Sequence, residues 1–183
     1  MCLQMKTKKE NIIDTAIQLF AEKGFHNTSI SKIAEAAGVS KGLMYNYFDS
    51  KEDLLKHIFD IGAEKLTENF DPNRDGVLTR EELIYYLHDI FYKMQRERDY
   101  WILFFTVVMQ PGMQELVKDQ TIKIIGPMME ELTAYFTESG CDEPEAQMRY
   151  FVATLDGVGM HYLLDPEGFP IKKVLQKIIK DFV

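Results

Sequence analysis

Ile33-Ala-Glu-Ala-Ala-Gly-Val-Ser-Lys-Gly-Leu-Met-Tyr-Asn-Tyr-Phe48 decides how the rest of the chain is read. Small Ala34 lets two helices cross closely, Gly38 permits the tight turn between them, and Val39 and Met44 plug the angle. A DNA-binding helix-turn-helix needs those features in that order. At about 100° per residue, Met44 and Phe48 of the second helix point one way, into a core. Gly42, Leu43 and Asn46 fall on the opposite face, with Tyr45 and Tyr47 on the flanks. That face suits a major groove: a bare glycine for close approach, an amide for base edges, a leucine for a thymine methyl, and two phenols for the phosphate walls.

Outward from this segment, periodicity and punctuation predict helices almost everywhere. Lys8 to Lys23 carries Ile13, Ala16, Ile17 and Phe20 at helical spacing and stops at Gly24, a natural left-handed cap. Thr28 or Ser29 caps a short helix to Ala37, and Ser40 caps another to about Phe48. Ser50-Lys-Glu-Asp53 opens a long helix to about Asn69, and Thr79-Arg-Glu-Glu82 opens one to about Arg98. Further helices are expected over 100–109, 113–138, 143–164 and 171–182, separated by glycine and proline turns. The expected fold is therefore all-α: an N-terminal three-helix helix-turn-helix domain over 1–50, followed by a helical domain of about six helices over 51–183.

The formal charge of −8 speaks against nucleic acid until it is divided along the chain. Residues 1–50 hold six Lys/Arg against five Asp/Glu, so the acidity lies beyond residue 50. A near-neutral segment with lysines on one side meets phosphates while an acidic body is held away from them. The most apolar run, Trp101 to Met109, is about half the length needed to cross a bilayer, and the N-terminus lacks the apolar core of a signal peptide. Neither a membrane partner nor export is expected, and the two cysteines, Cys2 and Cys141, suit a reducing, cytoplasmic setting.

The N-terminal segment resembles the TetR family of transcriptional regulators. The resemblance rests on Ala16, Leu19-Phe20, Gly24-Phe25, Thr28-Ser29, Ile33-Ala34, Ala37-Gly-Val-Ser-Lys-Gly42, Tyr45, Tyr47-Phe48, Lys51-Glu52 and Leu54-Leu55. It covers about residues 8–58 densely; beyond that, Leu155-Asp-Gly157 and Tyr162-Leu-Leu164 match more weakly. The resemblance implies a homodimeric repressor released from a palindromic double-stranded operator by a small-molecule effector. It also implies phosphate contacts from Thr28, Tyr47 and the helix start at Lys51, with groove contacts from Lys41, Gly42, Tyr45 and Asn46. Leu43 and Asn46 occupy variable positions, so the operator sequence does not carry over.

The remainder is expected to hold the partner copy and the effector. Residues 143–183 carry apolar side chains on more than one side of two helices, enough for a four-helix interface between copies. Between 85 and 113 the chain concentrates aromatic and methionine residues, so Tyr85, His88, Tyr92, Trp101, Phe104, Phe105, Met109 and Met113, with His161, are the candidate pocket for a largely apolar effector. No phosphate loop, nucleophile elbow or zinc motif is present, so no enzyme is expected and no cofactor is required.

One motif competes for attention. Asp71-Pro-Asn-Arg-Asp-Gly-Val-Leu-Thr-Arg-Glu-Glu82 fits the EF-hand calcium-loop pattern position for position. Asp71, Asn73, Asp75, Thr79 and Glu82 would give side-chain oxygens and Val77 its carbonyl, with Gly76 at the bend. Against this, EF-hands work in pairs and no second loop is present, and Thr79 to Glu82 is also an ordinary capping box. A calcium-binding module, or a calcium-modulated regulator, is the alternative expectation.

Overall fold

The computed structural model describes residues 6–183; Cys2 lies outside them. Among the described residues the regular structure is nine helices: α1 (Lys8–Lys23), α2 (Ile30–Ala36), α3 (Lys41–Tyr47), α4 (Lys51–Thr67), α5 (Arg80–Arg96), α6 (Arg98–Met109), α7 (Met113–Glu138), α8 (Pro144–Leu164) and α9 (Ile171–Phe182). The all-α expectation, three short helices and then six, is borne out.

Local chemistry accounts for the boundaries. The Thr7 hydroxyl accepts the Glu10 N–H while the Glu10 carboxylate accepts the Thr7 N–H, closing a capping box on α1. Gly24, at φ +79°, ends that helix. Ser29 rather than Thr28 caps α2, and Gly38 turns the chain at φ +65° before Ser40 caps α3. Proline occupies the first turn of α8, where its missing N–H costs nothing. Pro127 lies inside α7, which the spacing also carried through unbroken.

Packing divides the chain into two compact units: residues up to Gly62 with Asp99–Asp119, and Ala63–Arg98 with Gln120–Val183. In the first, α1 packs on α2 and α2 on α3. Its core joins Ile12, Ala16, Phe20, Ile33, Met44 and Phe48 to Leu54, Leu55 and Ile58 of α4, and takes in Leu103, Val107, Met113 and Val117 from much later in the chain. In the second unit, α9 packs on both α5 and α8, with Leu175 and Ile178 buried. Phe151 of α8 meets Phe136 at 5.9 Å and Phe182 at 5.2 Å between ring centroids. No helix among the described residues is long and apolar enough to cross a membrane.

Candidate nucleic-acid interface

The two faces of α3 separate as its sequence requires. Met44 is fully buried and Phe48 nearly so, while Lys41, Gly42, Asn46, Tyr45 (50% exposed) and Tyr47 (38%) face solvent and Leu43 is half-buried. The Lys41 ammonium stands 5.9 Å from the Tyr45 ring centroid, one helical turn on, so the two occupy the same stripe. An added Cβ at Gly42 would meet only the Ser40 hydroxyl, at 3.9 Å. Nothing in the fold demands a glycine there; what it leaves is a bare strip of backbone on the outer face.

The scaffold behind α3 is held by polar contacts, the first of which sequence patterning missed. The Asn11 amide of α1 donates to the Ala37 carbonyl at 2.8 Å, fixing the end of α2 where the turn begins. A polar residue beside buried Ile12 and Ile13 was the available signal. Ser50 and Asp53 lock the start of α4: the Ser50 hydroxyl accepts the Asp53 N–H at 3.0 Å and the Asp53 carboxylate accepts the Asp49 N–H at 3.0 Å.

Two residues expected at phosphates, Thr28 and Lys51, make bonds inside their own unit, and for Thr28 the expectation needs correction at the side-chain level. Thr28 is 1% exposed, and its hydroxyl donates inward to the carbonyls of Leu19 and Gly24. Buried and committed to the end of α1, that hydroxyl is not presented to a phosphate. The Lys51 ammonium donates to the Phe25 carbonyl at 2.8 Å and sits 4.2 Å from the Phe25 ring centroid, drawn into its own domain.

The candidate pocket residues are divided between the two units. Tyr85 (56% exposed), His88 and Tyr92 (57%) share the solvent face of α5, whose inward face is Leu83, Tyr86, Leu87, Ile90, Phe91 and Met94. Met109 and His161 are exposed as well. Trp101, Phe104, Phe105 and Met113 belong to the first unit: the Trp101 ring meets those of Phe104 and Phe105 at 5.7 and 6.4 Å, and Phe104 stacks on Phe59 at 5.9 Å. In the second unit, Tyr86, which the pocket set left out, is buried with its hydroxyl 3.8 Å from the Met128 sulfur. Burial holds that hydroxyl well above its usual pKa, with the charges of Asp89 and Asp156 adding to the shift.

The 71–82 loop takes the bent path its sequence specifies, with Gly76 at φ +76° and Arg74 at φ +56°. Phe70 and Leu78 are buried, and the Asp71 carboxylate accepts the N–H groups of Arg74 (2.7 Å) and Gly76 (3.0 Å). The would-be ligands are already engaged with one another and with the backbone, however. Glu82 accepts the Thr79 N–H and hydroxyl and the Asn73 amide, and the Asp75 carboxylate accepts the Val77 N–H. Among the described residues no three His, Cys, Asp or Glu side chains are placed to hold a metal ion. Glu131 of α7 also belongs to this neighbourhood: burial, then the charges of Asp71 and Asp75, raise its carboxyl above the usual range.

The profile of "Bacterial regulatory proteins, tetR family" matches residues 12–58. The chain's N-terminal segment is that of the TetR family. The HTH-type transcriptional regulator YerO of Bacillus subtilis is 35% identical over 116 residues, 61% of this chain and 40% of that protein. The fatty acid metabolism regulator protein of the same organism is 37% identical over 79 residues, 43% of this chain and 41% of its own length. The matched segments thus span about two fifths of these relatives. The crystal structure of the transcriptional regulator FadR from Bacillus subtilis in complex with stearoyl-CoA superposes with a TM-score of 0.77, at 21% identity, covering 94% of this chain and 98% of that one. The likeness in fold to that structure therefore extends beyond the matched N-terminal segment.

Proposed function

We propose that this chain is a cytoplasmic DNA-binding transcriptional regulator, a repressor that grips a palindromic operator as a homodimer and lets go when a small, largely apolar effector binds. The observation that carries the reading is α3 itself: an exposed face of Lys41, Gly42, Tyr45, Asn46 and Tyr47 backed by buried Met44 and Phe48. Relatives named as transcriptional regulators support it, and a structural neighbour holding stearoyl-CoA makes long acyl chains the first effectors to try. For the dimer, α8 exposes Tyr150, Met160 and Leu164, and an added Cβ at Gly157 would meet nothing within 4 Å, leaving room for a second copy's backbone. On this reading the chain is not an enzyme and needs no cofactor.

DNA selected from a random pool on the protein names the operator and tests the proposal. Lys41→Ala is expected to weaken that duplex and, with one cation fewer at the groove, to reduce the slope of log affinity against log salt by about 0.9 at most. Failure to enrich any sequence would end the reading.

Calcium binding at 71–82 is a second reading, favoured by the bent path of the loop, with Gly76 at φ +76° and Phe70 and Leu78 buried on either side. To bind, the ion must draw Glu82 away from Thr79 and Asn73, so weak binding is expected. Calorimetric titration should give a saturable heat in the wild type that is lost in Glu82→Gln; no heat in the wild type sinks it.

A further inference from the structure

We propose that the indole N–H of Trp101 is the hydrogen-bond donor that receives the effector, and that it takes a neutral carbonyl oxygen, as in an ester, thioester or amide. The inference rests on the small, largely apolar effector proposed above and names the polar contact that such a compound finds in the first unit.

Trp101 lies in the first turn of α6 and is 7% exposed. Its Nε1 is buried and has no hydrogen-bond partner among the described residues. An indole nitrogen only donates, and when buried it usually finds an acceptor. A donor without one has given up its bonds to water and gained nothing in return, so an orphan of this kind calls for an acceptor from outside the fold. Two other buried polar atoms lack partners, Gln120 Oε1 and Glu131 Oε2, but both belong to half-buried residues. Of the three residues, Trp101 alone is more than nine-tenths buried.

The surroundings set the chemistry of the acceptor. The Trp101 ring meets Tyr100 and Phe104 edge-on, at 5.6 and 5.7 Å between centroids, and Phe105 at 6.4 Å. Phe104 in turn stacks on Phe59 of α4 at 5.9 Å. Apolar rings around one donor are the composition of a small-molecule site. Tyr100 and Phe104 are half-buried while Trp101, Phe105 and Phe59 are buried, so the cluster opens on the side of Tyr100 and Phe104. A carboxylate brought there would need a cation, and α6 offers none: its single basic residue, Arg98, donates to the Leu163 carbonyl at 3.2 Å. The positive end of the helix dipole is already answered by Asp99 in the first turn. A neutral carbonyl needs no counter-charge.

Placement gives the contact a consequence. Leu103 and Val107 of the same helix are buried in the core that holds Met44 and Phe48 behind α3. A compound bonded at the start of α6 therefore loads a helix that the first unit needs for its own interior.

The chain has a single tryptophan, so uniformly nitrogen-labelled protein shows one indole N–H resonance. The probes are the methyl esters of the straight-chain acids from hexanoic to octadecanoic, their sodium salts, and the alkanes of matching length, each added to the full wild-type chain. Esters are expected to move the indole proton downfield, as a new N–H···O bond does, and alkanes to leave it in place. Trp101→Phe keeps an aromatic ring and loses the donor, so the ratio of ester to alkane affinity should fall about tenfold whatever packing is lost. Esters that bind by calorimetry without moving the resonance, or an unchanged affinity ratio in Trp101→Phe, overturn the inference and leave the effector reading standing. Salts that move the resonance as far as the esters do overturn the neutral acceptor. A panel that neither binds nor releases the enriched duplex overturns both readings. Should Trp101→Phe fail to fold, the wild-type resonance decides alone.

Discussion

Replacing Phe48 by alanine is expected to lower the unfolding free energy of the first unit by about 3–5 kcal/mol. The ring is 1% exposed, meets His57 edge-on at 5.3 Å between centroids, and has the Lys9 ammonium 5.7 Å above it. It also closes α3, its N–H donating to the Met44 carbonyl at 2.9 Å, so the cavity would open behind that helix. Because whole domains are stable by only about 5–15 kcal/mol, such a loss removes a large share of the total and DNA binding should fall with it. The denaturant midpoint, read with and without DNA, checks this. Tyr47→Ala is the contrast: its ring is outward, so stability should shift by less than about 0.5 kcal/mol while DNA affinity drops. A Phe48→Ala protein as stable as the wild type would refute the assigned core.

Gly62→Ala is expected to cost about 1–3 kcal/mol through overpacking, although alanine is the better helix former by about 1 kcal/mol. Gly62 lies inside α4, where propensity alone predicts a gain. A Cβ built there would come within 1.8 Å of the Tyr100 hydroxyl oxygen and 2.1 Å of its ring carbon Cζ. Tyr100 would have to swing away, disturbing its edge contact with Trp101 at 5.6 Å and its packing on Phe104 at 6.3 Å. The sign can be checked by a double-mutant cycle: in a Tyr100→Ala background, Gly62→Ala should become neutral or stabilising. If it costs the same in both backgrounds, the contact with Tyr100 is not the cause.

The parts of the fold legible in the sequence are those whose causes are local. Capping at Thr79, the turn at Gly38 and the opposed faces of α3 all depend on residues a few positions apart. The candidate effector residues were chosen on a different footing: residue type was weighted above helical phase. Tyr85, His88 and Tyr92, at i, i+3 and i+7, had to share a face, and that face is the outer one because Leu83, Leu87 and Met94 hold the inner. Trp101, Phe104 and Met113 were unreadable in another sense, since only tertiary folding assigns them to the unit that carries α3. Thr28 and Lys51 show how far a resemblance extends: it identifies the positions, while burial and hydrogen bonding decide which way each side chain turns.

The core of the DNA-binding unit has a consequence for synthesis. Leu103, Val107, Met113 and Val117 close over residues that precede Gly62, so a nascent chain that has just completed the helix-turn-helix still lacks part of its own interior. At about 5–20 residues per second, the ribosome needs several more seconds to supply it. During that interval the apolar face of Leu54, Leu55 and Ile58 lacks part of its cover, and the first unit is complete only once the opening turns of α7 have been made.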